Sequence, residues 1–389
     1  MNMKILFYCD TVFSFGGVQR ALFVIARELS KKHHITILTT DFSSEKSVYD
    51  YKRTHILLYM MGFPPVCAFW RLVCKTYSFL YKYVLPQTPV TSAIYARSFF
   101  PPPHRRQLIE TINEGNYDVV IGVHAYQALH LASIRDRIHV RTAIGWMHNS
   151  YEAFFEKEHP YLPRLKNFFK DRMGVLDEIV VLSQDDRNKY ESFLGLTPRV
   201  IYNPLTLEVK GRADLRHKCF LSVGRFSPLH KGFDLLIKAF ALFAQENAEW
   251  TLDIVGEGQE EELYRSLIME NKLEDRVRIH PFTTDIHQHY AGSSVYVLAS
   301  RWEGMPLVLM EAMAYGLPVV ASDIPVAKEL LDGKGMAVFF EKENINRLAD
   351  CLRYMVTEAD LKSMGEKSIA YAENFKIDAI IEQWKKIIN

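Results

Sequence analysis

Two glutamates, Glu303 and Glu311, are separated by seven residues in a stretch whose residue types suit the binding of hydroxyls and anions. Pro306 suits the first position of a helix, and Gly316 suits the residue that follows its end. We therefore predict a short helix whose free amides, around Met305–Val308, attract an anion. A carboxylate ahead of that helix would repel phosphate, but it can accept hydrogen bonds from sugar hydroxyls. A helix-start acid and a solvated surface glutamate are the ordinary alternatives.

Two cations, Arg225 and Lys231, follow the predicted strand Cys219–Val223. A planar guanidinium fork and a compact ammonium charge together suit a diphosphate. Two solvated loop cations are the ordinary alternative. Gly256, after the next predicted strand, allows close approach of the backbone to a bound group, which by itself is weak support.

The first half of the chain offers a glycine pair and two histidines. Gly16-Gly17 follows the first predicted strand, but the pattern is not GxGxxG, so the dinucleotide fingerprint fails. His124 and His148 each follow a predicted strand. A neutral histidine can accept a proton, although a lone histidine is more often an ordinary core or surface residue.

Runs of valine and isoleucine without alternation, as at 117–123 and 178–182, are typical of parallel strands buried on both faces. Both halves alternate such runs with helical patterns, which predicts two open α/β sheets. We expect a first domain over 1–202 and a second over 203–374. The amphipathic segment 375–389 is expected to cross back to the first domain.

The 389 residues suffice for two or three domains, and 48% hydrophobic residues exclude disorder as the dominant state. Five scattered cysteines indicate a reducing compartment, with neither a disulfide framework nor a zinc site. The N-terminus carries no pattern of a signal peptide, and no apolar run is long enough to span a membrane.

Residues 51–109 hold eight basic residues and no acidic one, together with many aromatic and aliphatic side chains. This composition is typical of a segment at a membrane interface, and we expect it to bind an anionic membrane surface. A core helix with a solvated charged face is the alternative. Nucleic acid is not expected as a partner, because no recognition motif accompanies the basic residues.

The stretch from Glu303 to Glu311 closely resembles the E-x7-E signature of retaining GT4-type glycosyltransferases, the glycosyltransferase group 1 family. Gly224-Arg225 and Lys231–Asp234 similarly resemble the G-R…K-G-x-D pattern of that family. The resemblance implies a GT-B fold, α/β, with two Rossmann-like domains facing each other across a donor-binding cleft. It also implies that Glu303 contacts the donor sugar, Glu311 the ribose, and the two cations the leaving nucleoside diphosphate.

The same resemblance assigns the remaining site residues. The Gly16-Gly17 loop would face the donor phosphate, although Gln19 stands where the family often has glutamate. The implied catalytic residues are His148, which would orient the substrate, Glu303, Arg225 and Lys231. The implied donor-binding residues are Gly16, Gly17, Arg225, Lys231, Gly256, Phe282, Glu303, Gly304, Met305, Pro306, Leu307 and Glu311.

The resemblance predicts a retaining, metal-independent hexosyltransferase without a cofactor. It would move a hexose or N-acetylhexosamine from a nucleotide sugar, UDP favoured over GDP, to a glycan or lipid-linked acceptor. We expect a role in bacterial polysaccharide, lipopolysaccharide or glycolipid synthesis, in the cytoplasm on the inner face of the cell membrane. The alternatives are a non-catalytic subunit that binds nucleotide sugars, and an epimerase or phosphorylase on a GT-B fold.

Overall fold

A computed structural model of the chain describes residues 2–42 and 49–388. It contains two compact units. The first unit comprises Met1–Pro204 and Ile377–Asn389, and the second comprises Leu205–Lys376. No helix in the described part of the chain is both long and apolar enough to cross a bilayer.

The first unit is built on a seven-stranded parallel sheet in the order β3-β2-β1-β4-β5-β6-β7. The strands are rich in valine and isoleucine because helices cover both faces of the sheet. Strand β4, for example, is buried at every position. The strands are β1 Lys4–Cys9, β2 His34–Thr39, β3 Ile56–Met60, β4 Val119–Val123, β5 Thr142–Trp146, β6 Glu178–Val181 and β7 Arg199–Val200.

The helices of the first unit are α1 Gly17–Leu29, α2 Ala68–Tyr83, α3 Pro89–Phe99, α4 Pro102–Gly115, α5 Ala125–Ala132, α6 Tyr151–Phe155, α7 Lys166–Met173 and α8 Gln184–Lys189. Two of these helices, α2 and α3, lie inside the basic segment 51–109, and α4 begins there. The C-terminal helix of the chain also belongs to this unit. In that helix, the fully buried Trp384 meets Trp146 edge-on, with 4.9 Å between ring centroids.

The second unit has a six-stranded parallel sheet in the order β10-β9-β8-β11-β12-β13. Its strands are β8 Cys219–Val223, β9 Thr251–Val255, β10 Val277–His280, β11 Val295–Leu298, β12 Val319–Ser322 and β13 Ala337–Phe340. Its helices are α9 Phe233–Ala244, α10 Glu261–Glu270, α11 His287–Ala291, α12 Leu307–Ala314, α13 Pro325–Leu331, α14 Ile345–Thr357 and α15 Leu361–Ala372. The helix that follows, α16 Ile377–Ile388, is the C-terminal helix that belongs to the first unit.

Both sheets confirm the predicted α/β class with two parallel, Rossmann-like units. In each sheet the strand order reverses direction at one place, between β1 and β4 in the first unit and between β8 and β11 in the second. Open α/β folds bind ligands outside the carboxyl ends of the strands at such a switch point. The loops after these four strands are therefore where a site is expected.

Candidate active site

The switch point of the second unit brings together residues that are far apart in the sequence. Arg225 and Lys231 lie in the loop after β8, and Glu303 lies in the loop after β11. The Lys231 ammonium Nζ contacts Glu303 Oε1 at 2.6 Å. Ser300 Oγ donates to the same oxygen, also at 2.6 Å.

Glu303 is only 9% exposed, so its charge depends on these neighbours. Burial raises the pKa of the carboxyl, but the charge of Lys231, followed by that of His230 and by the two hydrogen bonds, more than offsets it. The net pKa lies below the usual range, so the group is a carboxylate at neutral pH. A carboxylate only accepts hydrogen bonds, as binding to sugar hydroxyls requires.

A glycine fixes the position of Lys231. Gly232 adopts a φ of +65°, and a Cβ there would lie 2.1 Å from the Ala299 carbonyl oxygen. Only glycine permits that approach, which brings the β8 loop against the end of β11. Arg301 reinforces the contact by donating twice to Asp234, at 3.0 and 2.8 Å. Asp234, which was matched only as part of the family pattern, therefore ties the two loops together.

Arg225 differs from Lys231 in its surroundings. It is exposed, and no residue within 2–42 or 49–388 forms a hydrogen bond or ion pair with its guanidinium. Its full set of donors is therefore available to an anion.

Gly256 has a structural reason to be glycine. A Cβ on Gly256 would lie 1.9 Å from the Gly224 carbonyl oxygen, so the loop after β9 can pack against the Arg225 loop only without a side chain. Gly224 donates to the Val255 carbonyl at 3.0 Å in the same contact. Phe282, in the segment after β10, is half-buried.

Helix α12 begins one residue later than predicted, because Pro306 is its capping residue and has an extended backbone. No side chain caps this N-terminus, so its first amides remain available to an acceptor. Gly316 follows the helix with a φ of +82°, the left-handed conformation predicted for it. Gly304, Met305, Pro306 and Leu307, the residues around this helix end, are all buried.

Glu311 is 1% exposed, which excludes the solvated surface glutamate considered above. Its carboxylate accepts a hydrogen bond from the Tyr290 hydroxyl at 2.8 Å and another from Thr206 Oγ1 at 3.3 Å. Tyr290 stacks on Tyr315, with 5.3 Å between ring centroids. Sequence reasoning missed these partners because helix α11 and the start of the second unit supply them.

The switch point of the first unit holds the glycine pair. Gly16 is the extended capping residue of α1, and Gly17 is the first residue of that helix. Gln19 donates from its amide to the Thr11 carbonyl at 3.3 Å, so its side chain braces the loop after β1.

His124 lies at the same sheet edge, directly after β4. Its φ of +82° is a conformation that non-glycine residues rarely adopt, and such strain concentrates at functional sites. Burial lowers the pKa of the imidazole to about 4, and the ring Nε2 lies 2.9 Å from the Asn149 amide nitrogen. The sequence signal for this histidine was its place after a buried strand.

His148 is buried against Trp146, with 4.1 Å between ring centroids. Its Nε2 has no hydrogen-bond partner in the described part of the chain. Burial, together with nearby His124, holds the pKa of His148 well below its ordinary value, so the ring is neutral.

Comparisons with known proteins agree with this geometry. Residues 15–209 match the family model described as Glycosyltransferase Family 4, and residues 206–374 match Glycosyl transferases group 1. The chain belongs to the family 4, group 1 glycosyltransferases. This family is the one that the two glutamates and the two cations predicted.

The most informative relatives are glycosyltransferases. An uncharacterized glycosyltransferase of Haemophilus influenzae is 38% identical over 216 residues, 54% of this chain and 61% of the relative. A poly(glycerol-phosphate) alpha-glucosyltransferase of Bacillus subtilis is 26% identical over 58% of this chain and 34% of its own length. The chain thus spans less than two thirds of the length of these relatives. Among solved structures, Anabaena HepE in complex with UDP and glucose has a TM-score of 0.76 at 20% identity, over 99% of both chains. This likeness establishes the shared GT-B fold.

Proposed function

We propose that the chain is a retaining glycosyltransferase that moves a hexose or N-acetylhexosamine from a UDP-sugar to an acceptor hydroxyl. One observation carries the proposal. The switch point of the second unit presents the buried Lys231–Glu303 pair and, on the same loop as Lys231, the exposed Arg225, whose guanidinium has no partner among residues 2–42 and 49–388. The E-x7-E resemblance supports the retaining outcome, and the UDP bound to Anabaena HepE supports the choice of base.

In this proposal Arg225 and Lys231 neutralise the diphosphate as it leaves. Stabilising charge that develops in the transition state is usually the largest contribution to catalysis. The two cations and the free amides of α12 supply that charge, so we propose that the reaction needs no metal ion. Glu303 would hold the sugar hydroxyls, and Glu311 would bind the ribose.

The two histidines are assigned different parts in the first unit. His124 has the strained backbone at the switch point, so it would face the substrate. His148 is buried against Trp146 and would orient the substrate, as the resemblance implies, whereas Asn149 in the same loop contacts His124. Both rings are neutral because burial lowers their pKa values, so they would accept or donate hydrogen bonds without adding charge.

Ligand-induced stabilisation tests the donor assignment. We expect UDP and UDP-sugars to raise the midpoint of thermal unfolding, because a ligand at one hundred times its Kd adds about 2.7 kcal/mol to the folded state. GDP and GDP-sugars at equal concentration are the matched controls and should raise it less. If no nucleotide in the panel shifts the midpoint, the proposed donor site is wrong.

We also propose that helix α2 binds an anionic membrane and so brings the first unit to a lipid-linked acceptor. Tyr81 is the one buried residue among the side chains described for α2, whereas Phe69 is 70% exposed. Trp70, also exposed, lines a cavity of about 520 Å³ together with Cys74 and Pro102. The name of the Bacillus subtilis relative, a poly(glycerol-phosphate) alpha-glucosyltransferase, supports a polymeric acceptor, and a relative named for amylovoran biosynthesis in Erwinia amylovora supports a biosynthetic role.

Vesicle sedimentation tests the membrane proposal. Replacing Arg71 and Lys75 by glutamine should reduce binding to vesicles that contain phosphatidylglycerol by about thirtyfold, since each basic residue contributes about 1 kcal/mol near an anionic surface. Lys82 is less suitable for this test, because it is half-buried and burial lowers its pKa. Exposed Lys238 of the second unit is the matched control. Equal sedimentation of the double variant and the wild type would contradict the proposal.

A further inference from the structure

Two imidazoles and a carboxylate converge in the second unit, and the proposed transfer reaction assigns no role to these three side chains. The cluster lies close to the proposed donor-binding residues, since the Gly256 amide donates to the His280 carbonyl at 3.0 Å. Asp253 lies in the middle of β9, His280 ends β10, and His289 lies on α11. One ring nitrogen of each histidine and one carboxylate oxygen all lie within 4.8 Å of one another.

The strand register explains why the three meet. Asp253 pairs with Arg278 and Val255 pairs with His280, so Asp253 and His280 lie on the same face of the sheet. Leu252 and Ile254 point to the opposite face, into the core. The His280 ring lies 4.7 Å from that of His289, measured between centroids, so α11 brings the third group to this face.

The second observation is an unsatisfied polar atom aimed into the cluster. His280 Nε2 is buried and makes no hydrogen bond within the described residues, although it lies 3.3 Å from Asp253 Oδ2. A buried ring nitrogen without a hydrogen bond is costly unless another ligand or an ion satisfies it. A cation between the two groups would satisfy both atoms.

Arg278 holds the carboxylate in place from the other side. It donates from Nε to Asp253 Oδ1 at 2.8 Å, which leaves Oδ2 directed at His280. Such outer contacts orient metal ligands in known sites. The guanidinium charge also opposes a dication, so we expect moderate affinity.

We propose that Asp253, His280 and His289 bind a divalent transition metal ion, with Zn²⁺ as the representative, and thereby join β9, β10 and α11. Two imidazoles and one carboxylate are a ligand set typical of such ions, with the remaining position left to water. Alkaline-earth ions prefer oxygen ligands and would bind poorly here. The inference does not depend on the transferase proposal.

Calorimetric titration of the full chain, stripped with a chelator, with ZnCl2 tests the site. We expect one equivalent to bind and to raise the midpoint of thermal unfolding, whereas MgCl2 does neither. His289→Ala should weaken Zn²⁺ binding at least tenfold and abolish the rise in the midpoint. His289→Gln and His280→Ala provide further variants, with circular dichroism as the check on folding.

His217→Ala is the matched control. His217 Nε2 lies 3.8 Å from Asp214 Oδ2 on the surface, so it offers a histidine–aspartate pair outside the three-residue cluster. This variant should bind Zn²⁺ like the wild type. The proposal is overturned if the wild type binds no saturable equivalent, or if His289→Ala binds Zn²⁺ as the wild type does. Stabilisation by UDP, measured on the same samples, would show independently whether the donor proposal stands.

Discussion

Arg225→Ala should lower kcat/KM of the sugar transfer by about 10²- to 10³-fold, the loss typical when one group that stabilises transition-state charge is removed. The effect should fall on nucleotide binding and catalysis, and not on folding stability. Arg225 is exposed and has no side-chain partner within 2–42 and 49–388, so its removal leaves no unsatisfied group behind. The midpoint of unfolding should therefore stay that of the wild type, and the shift induced by UDP should shrink.

Two variants complete this test. Arg225→Lys keeps the charge but loses the fork that binds two oxygens at once, so it should recover only part of the activity. Arg216→Ala removes an exposed arginine of the same unit that pairs with Asp214, and it should leave the activity unchanged. Normal turnover by Arg225→Ala would place the diphosphate elsewhere.

The sequence predicted those features that depend on local pattern. The strand 178–182 was recognisable because its last four residues form an unbroken apolar run, and it appears as β6 Glu178–Val181. Pro306 and Gly316 bounded α12 to within a residue, since proline fixes φ near the helix start and glycine permits the left-handed conformation after its end. The resemblance of the stretch from Glu303 to Glu311 to the family signature then predicted the GT-B fold.

Features that depend on contacts between residues far apart in the chain could not be predicted from the sequence. Nothing local shows that Tyr290 donates to Glu311, because the two groups meet only after α11 and α12 have packed. The segment 51–109 was described from the sequence only by its composition and charge. Its strand β3 and its helices α2 to α4 were not predicted. The left-handed backbone of His124 likewise arises from the turn between β4 and α5, which residue types alone do not specify.

Variants of the Lys231–Glu303 pair can distinguish a contribution to stability from a contribution to catalysis. The side chains are 14% and 7% exposed, so removing one partner leaves a nearly buried charge. Lys231→Met should thus lower the free energy of unfolding by about 3–5 kcal/mol, as well as abolish measurable transfer. Glu303→Gln keeps the shape and leaves a lysine that water can reach more easily, so it should cost less stability and still lose most activity.

The double variant Lys231→Met/Glu303→Gln tests whether the pair serves folding stability or the reaction. A neutral amide beside a methionine leaves no uncompensated charge, so urea unfolding should show that much of the stability lost in Lys231→Met returns. Activity should not return, because the diphosphate would still lack its cation and the sugar its carboxylate. Recovery of both quantities together would make the pair a structural contact, whereas recovery of stability alone would show that the buried charges are retained for the reaction.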